Sequence, residues 1–128
     1  MSGSEQPDDG SVALTVPARP EFLRLVRLAA ADSGARADLS IEDVEDLRIA
    51  VDELTYALIG DSPANRPVTL RFRVSPGRVE IEGECRTPDA PAPVSDLSRA
   101  IVGRVVDEHE LSFDDGSRRF RLVKRNRP

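Results

Sequence analysis

The chain has 128 residues, of which 39% are hydrophobic and 32% charged, a composition suited to a single globular domain with one modest core. Its net charge of −5 argues against a nucleic-acid binder, because neutralising phosphates requires a basic surface. One cysteine and one histidine are too few for an internal disulfide or for a zinc site within one chain. No apolar run approaches the roughly 20 residues that span a bilayer, and no cleavable leader is visible, so we expect a cytoplasmic protein.

The first part of the chain predicts a tail, a strand and a helix. Residues 1–10 are polar and aperiodic and are predicted to form a disordered tail ahead of a domain over residues 11–124. A short edge strand is predicted over Val12–Val16. A helix that opens at Pro20 is expected to end at about Ser33 or Gly34, where glycine supplies the stop. The predicted buried face of this helix consists of Phe22, Leu25, Val26 and Ala29.

The second predicted helix is the centre of the chain. Ser40 is its candidate N-cap, with Asp43 three residues later, and Gly60 marks its end. Apolar residues recur along it at steps of three and four, which places them on one helical face. This stripe consists of Val44, Leu47, Val51, Leu54 and Leu58, widened by Ile49 and Ala50. Asp52 and Glu53 lie in its most apolar turn, so this acidic pair has either a structural partner or a task.

Two hairpins and a third helix complete the predicted domain. The hairpins are Val68–Val74 with Val79–Gly83, and Glu108–Phe113 with Ser117–Val123. Between them, three prolines exclude regular structure over residues 86–94, Arg86 to Val94, with Pro88 to Pro93 at its centre. Ser95 and Asp96 begin a helix that carries Leu97, Ile101, Val102, Val105 and Val106. Lys124 and the basic tail 125–128 are expected to be solvated. This order predicts an α+β two-layer sandwich, with a mostly antiparallel five-stranded sheet and three helices on one face.

Four segments carry a family resemblance: Leu14–Ala18, Asp46–Glu53, Val79–Glu82 and Val105–Glu108. With the element order, they make the chain resemble the histidine-kinase-like (GHKL) ATPase domain, and most of all the anti-sigma factor serine kinases of the RsbW type. The resemblance covers about Val12 to Val123, and its most specific part is the string in the second helix.

The resemblance implies an ATP site between the helices and the sheet. In that family a Glu acts as general base, and an Asn four residues later holds Mg²⁺. An i, i+4 spacing places both side chains on one helix face. Here Glu53 matches the Glu, but Ala57 stands at the Asn position and offers the metal no oxygen.

The other two nucleotide motifs of the family are also altered. The adenine-recognising Asp falls at Cys85, and the first glycine of its motif falls at Thr87. The Gly-x-Gly that cradles phosphates falls at Asp96 and Ser98, where a carboxylate would repel phosphate. We therefore expect an impaired ATP site and no cofactor, with ATP and magnesium bound only if the ancestral site survives.

Each candidate residue also has a plainer interpretation. For Glu53 we favour an ion pair with Arg48 or a loop arginine over a role as base. Asp52 is expected to be solvated, Cys85 to be a small buried hydrophobe and His109 to lie on the surface. The basic residues near the end of the chain are expected to form a solvated face: Arg118, Arg119, Arg121, Lys124 and Arg125.

The resemblance implies protein partners rather than nucleic acid or membrane. In the family, surfaces near the first helices meet a sigma factor or its anti-anti-sigma antagonist, which makes Arg24 and Arg27 the candidate partner-binding residues. Homodimers joined through the sheet edge are common in the family, and the short first strand would suit such a contact. We expect an anti-sigma-factor-like transcription regulator. The alternatives are an active serine kinase that phosphorylates the antagonist with Glu53 as base, and a small-ligand sensor that reuses the vacated pocket.

Overall fold

The computed structural model of the chain describes residues 10–60, 65–87 and 94–126. These residues form the predicted order of elements. The elements are β1 (Val12–Pro17), α1 (Leu23–Arg36), α2 (Ile41–Ile59), β2 (Pro67–Ser75), β3 (Arg78–Arg86), α3 (Asp96–Val105), β4 (Glu108–Asp114) and β5 (Ser117–Arg125). The predicted disordered tail, except its last residue, residues 88–93 of the proline-rich segment and the last two residues of the basic tail lie outside the described residues. Arg86 is the last residue of β3, which corrects the prediction that irregular structure begins there.

Helix α1 ends at Arg36, later than predicted, and Gly34 lies within the helix rather than at its end. Asp38 takes the left-handed conformation instead, with φ of 61°. Its N–H bonds to the carbonyl of Ala35, and the N–H of Leu39 bonds to the carbonyl of Gly34. This pair of bonds is the Schellman motif. Gly34 lies inside the helix, where a Cβ would stand 2.8 Å from a methyl group of Val44, so the absent side chain permits the close approach of α1 to α2.

The buried face of α1 is rotated relative to the predicted one. A single 3₁₀ turn, Pro20–Phe22, precedes α1, and the α-helix itself carries apolar residues on more than one side. Leu25 is consequently 46% exposed, which corrects the prediction for that residue. The buried α1 residues are Leu23, Val26, Ala30, Ser33 and Gly34, with Phe22 and Ala29 partly buried against the core.

Helix α2 forms as predicted, with one correction. The hydroxyl of Ser40 accepts a hydrogen bond from the N–H of Asp43, and Gly60 ends the helix with φ of 73°. Ile49 does not widen the stripe, because it is 42% exposed. The predicted core positions Leu47, Ala50, Val51, Leu54 and Leu58 are all buried. In α3 the inward position is Val102, whereas Leu97 is 70% exposed.

All strand pairs in the sheet are antiparallel, and the order is β1-β2-β3-β5-β4, which makes β1 an edge strand as predicted. Alternation in β2 and β3 places a fully buried layer against the helices: Val68, Leu70, Phe72, Val79 and Ile81. Gly83 pairs with Phe120, and a Cβ on Gly83 would lie 2.4 Å from the phenyl ring. The core therefore needs a glycine in β3 to seat this aromatic side chain.

The expectation that Lys124 is solvated is wrong, because this residue is buried in β5. Its side chain is 4% exposed, and Nζ lies 3.4 Å from Oδ1 of Asp43 and 3.4 Å from Oδ2 of Asp46. The ammonium also donates to the carbonyl of Val105 at 2.7 Å. Three elements, α2, α3 and β5, are thus joined at one buried charge.

Candidate functional site

Two of the motif positions lie in direct contact. The hydroxyl of Ser98, in the first turn of α3, donates to Oε1 of Glu53 in α2 at 2.6 Å. The N–H of Ser98 donates to the Ser95 hydroxyl at 3.0 Å, which caps α3 as predicted. The prediction that Glu53 forms an ion pair with Arg48 is therefore wrong, because Arg48 pairs with Glu45 at 2.7 Å instead. The carboxylate of Glu53 is thus joined to the next helix by a hydrogen bond from a hydroxyl rather than by an ion pair.

Ala57 is half-buried one turn after Glu53 on the same helix. A methyl group can neither ligate a metal nor orient a phosphate. Thr55, between the two, is buried, and its hydroxyl has no hydrogen-bond partner among the described residues. Sequence reasoning passed over Thr55, although a hydroxyl within an apolar helical stripe was the signal that could have identified it.

Cys85 and Thr87 lie at and just beyond the end of β3, and both are buried. Burial raises the pKa of the Cys85 thiol, and the nearby charges of Arg66 and Arg118 oppose this only in part. The hydroxyl of Thr87 accepts a hydrogen bond from Arg66, and its N–H donates to the carbonyl of Gly116 at 2.8 Å. The expectation of Cys85 as a small buried hydrophobe agrees with this environment.

Arg118 was expected to be solvated, but only 6% of it is exposed. It pairs with Cys85 across β3 and β5, and its Nη1 donates to the carbonyl of Leu58 at 3.0 Å. A Cβ on Gly60 would lie 2.7 Å from the same nitrogen. The guanidinium thus occupies the space between the C-terminus of α2 and the end of β3. Its alternation with Phe120 along β5 was the available sequence signal.

The remaining candidates are spread over the surface. Asp96 is exposed at the first position of α3 and is not in the contact that joins Glu53 to Ser98. Arg24 is exposed on α1. Nε of Arg27 lies 3.5 Å from Oδ1 of Asp52, so Asp52 is ion-paired rather than simply solvated. The structure therefore unites Glu53 with Ser98 and leaves the partner candidates on a separate helical face.

A cavity of about 480 Å³ adjoins the contact between Glu53 and Ser98. Three elements line it: α2, α3 with the residues before it, and β4. Its lining residues are Glu53, Leu54, Val94, Ser98, Arg99, Val102, His109, Glu110 and Leu111. A second, shallower groove of about 600 Å³ lies on the opposite face of the sheet, among Thr69, Arg71, Glu82, Glu84 and Arg119. His109 is exposed as expected, but its place beside a cavity could not be predicted from its position in the sequence.

The described ranges contain neither a cluster of metal-ligating side chains nor a helix that could cross a membrane. Across residues 10–60, 65–87 and 94–126, three or more His, Cys, Asp or Glu side chains nowhere gather in a geometry that could hold a metal ion. The helices in these ranges are also too short or too polar to cross a membrane.

Curated proteins and a solved structure that resemble this chain carry the name RsbW. The chain is 35% identical over 126 residues to anti-sigma-F factor RsbW of Mycobacterium tuberculosis (strain ATCC 25618 / H37Rv), covering 91% of this chain and 73% of the relative. It is 28% identical over 127 residues to serine-protein kinase RsbW of Listeria monocytogenes serotype 4a (strain HCC23), covering 82% and 81%. The solved RsbU and RsbW domains of Rv1364c from Mycobacterium tuberculosis match with a TM-score of 0.72 at 18% identity, covering 92% of this chain and 33% of that chain. No family model matches the chain.

The structural match identifies the fold of the chain, and the sequence match identifies its family. The five-stranded antiparallel sheet with three helices on one face is the α+β fold of the histidine-kinase-like (GHKL) domain, and the structural match supports this fold. The sequence identity, extended over most of both chains, is more specific. The chain belongs to the RsbW family.

Proposed function

We propose that the protein is an anti-sigma-factor-like transcription regulator that binds a sigma factor or its anti-anti-sigma antagonist in the cytoplasm. The observation that supports this most is its 35% identity, over most of both chains, to a relative named anti-sigma-F factor. The acidic net charge is compatible with a protein that acts on a regulatory protein rather than on DNA directly.

The surface best suited to that partner is the exposed side of α1 and α2. Leu25 and Leu28 are 46% and 61% exposed, and Arg24 lies beside them on α1. The ion pair from Arg27 to Asp52 places the neighbouring edge of α2 against this surface. Apolar side chains within a rim of arginines favour a partner with an apolar patch bordered by acidic residues.

The nucleotide chemistry of this protein is proposed to be impaired, because the residues present do not fit Mg-ATP. Ala57 supplies no oxygen to a metal, and the Asp96 carboxylate stands at the helix N-terminus that would receive phosphate. Arg118 fills the space next to Cys85, at the position that the resemblance assigns to adenine recognition. We therefore assign no phosphotransfer step to Glu53.

One observation favours the alternative, an active serine kinase. Glu53 accepts a hydrogen bond from a serine hydroxyl at 2.6 Å, which is the geometry of a general base toward an acceptor serine. Isothermal titration with Mg-ATP separates the two functions. No heat at millimolar nucleotide supports the regulator, whereas micromolar binding would overturn it in favour of the kinase.

We also propose a homodimer that pairs through β1. The strand sequence VALTVP carries no charge, so its free edge is open to pairing. The other edge strand, β4, carries Glu108, Glu110 and Asp114, which discourage pairing. Sedimentation equilibrium should show a dimer that Ala13→Lys weakens, while Ser112→Lys on β4 leaves it intact. A monomeric wild type would refute the dimer.

Partner binding is tested by affinity capture from the native cell with identification by mass spectrometry. A sigma factor or a known type of sigma antagonist should be enriched, and Arg24→Glu should reduce its recovery. Arg104→Glu is the matched control, because Arg104 is an exposed arginine on α3, away from the proposed surface. An equal loss of partner recovery with both variants would show that net charge, rather than the position of Arg24, causes the loss, and would reject the proposed surface.

A further inference from the structure

The cavity between α2, α3 and β4 has the composition of a small-molecule site. Its volume of about 480 Å³ falls within the range of about 300–1,000 Å³ that ligand pockets occupy. Four apolar side chains contribute to its lining: Leu54, Val94, Val102 and Leu111. The polar residues that complete it come from three separate elements, and such convergence of a few polar groups on an apolar cavity is typical of ligand recognition.

The charges at the cavity are of both signs. Glu53 provides a carboxylate from α2, Arg99 provides a guanidinium from α3, and His109 provides an imidazole from β4. The Glu53 carboxylate is held in one orientation by the hydroxyl of Ser98 at 2.6 Å. An acceptor fixed in this way loses little conformational freedom on binding, which favours affinity.

This cavity differs from the nucleotide site that the family resemblance places in the chain. Of the six motif positions, only Glu53 and Ser98 line it. Ala57, Cys85 and Asp96 do not, and β4 contributes His109, Glu110 and Leu111 in their place. A ligand here would contact α2 on the side that faces α3.

We propose that this cavity binds a free amino acid with an apolar side chain. The ligand ammonium would donate to Glu53, the ligand carboxylate would accept from Arg99, and the side chain would cover Leu54 and Val102. A zwitterion satisfies both signs of charge at once, whereas an amine or an acid alone leaves one sign unmatched. The proposal is independent of the sigma-factor partner and adds a metabolite input to the domain.

The test is a two-dimensional amide NMR titration of the full chain with three probes of one shape. L-Phenylalanine carries both charges, phenethylamine carries only the ammonium and 3-phenylpropionate only the carboxylate. Saturable shifts at residues around the cavity are expected with L-phenylalanine, and binding of each half-ligand should be about tenfold weaker, the loss of one charged hydrogen bond. Equal or tighter binding of a half-ligand, or no saturation by L-phenylalanine up to about 10 mM, would overturn the proposal.

Substitutions in the lining of the cavity test whether L-phenylalanine binds there. Glu53→Gln and Arg99→Gln should each weaken L-phenylalanine binding about tenfold. Arg104→Gln is the matched control on the same helix as Arg99, and Glu82→Gln on the opposite face of the sheet is the acidic control. Unchanged binding in both cavity variants, with spectra that show folded protein, would place the ligand elsewhere and reject the site.

Discussion

The buried ammonium of Lys124 offers the sharpest test of how this fold is held together. Lys124 is the only lysine of the chain, and its side chain is 4% exposed between Asp43 at 2% and Asp46 at 20%. Lys124→Met keeps the length of the side chain and removes its charge. The two carboxylates of α2 would then lose the Lys124 ammonium, and the Val105 carbonyl would lose its donor.

The expected cost follows from that geometry. Removing one partner of a buried ion pair costs about 3–5 kcal/mol, because the remaining charge stays in a poorly solvated place. The methionine side chain recovers some packing, so we expect about 3 kcal/mol. For a domain of this size such a loss lowers Tm by about 10 °C. Total stability of a domain is about 5–15 kcal/mol, so the variant should remain folded but be visibly weakened.

Urea unfolding followed by circular dichroism at the helical band measures this free energy. Arg125→Met is the matched control, since Arg125 is the next residue of β5 and makes an exposed pair with Glu108 at 2.7 Å. We expect the control to change stability by less than about 1 kcal/mol. Restoring part of the lost stability with Asp43→Asn in the Lys124→Met background would confirm that the unpaired carboxylate is the cause. A loss in Lys124→Met no larger than in the control would refute the reasoning.

Three further predictions concern other parts of the molecule. The hydrogen bond from Ser117 holds the pKa of Glu84 below its ordinary value, so the stabilising contribution of this carboxylate is present above about pH 4.3 and is lost as the pH falls through the lowered pKa. The urea midpoint should therefore fall less steeply at acid pH in Glu84→Gln than in the wild type. An unchanged slope would contradict this prediction. Gly83→Ala should cost about 1–3 kcal/mol, because its Cβ would lie 2.4 Å from the ring of Phe120, and an unchanged urea midpoint would show that the ring has room to move. Ala57→Asn alone should leave calorimetry with Mg-ATP silent, because the Asp96 carboxylate and the Arg118 guanidinium still stand at the other motif positions. Mg-dependent ATP binding by this variant would contradict that expectation and make the missing side-chain oxygen the main defect.

The apolar framework could be predicted because its signals are local. The stripe through Leu47, Val51, Leu54 and Leu58 and the alternation in β2 and β3 each arise within a single element. Burial of apolar surface then favours the same side of every element, so pattern and fold agree. The buried face of α1 could not be predicted in this way, because apolar residues lie on more than one side of it, with Leu25 and Leu28 exposed and Val26 buried.

The polar contacts could not be predicted, because their partners are distant in sequence. Glu53 meets Ser98 across 45 residues, Lys124 meets Asp46 across 78, and Arg118 reaches the Leu58 carbonyl across 60. A charge is buried only where the tertiary structure brings a partner to it, and a one-dimensional pattern contains no record of that partner. The charged residues near the end of the chain therefore looked like a solvated face, although two of them hold the domain together.

This separation of apolar and polar information explains how the family fold persists here without its complete nucleotide motifs. The residues of α2 that build the core face the sheet, whereas Glu53 faces α3 and a cavity and Ala57 is only half-buried. An alanine at position 57, where the resemblance implies the magnesium-binding Asn, therefore leaves the core closed. Ser98 in turn gives Glu53 a donor, so the acid does not remain as an uncompensated polar group between two helices. In this chain the Glu53 carboxylate is a hydrogen-bonded part of the wall of the cavity between α2 and α3.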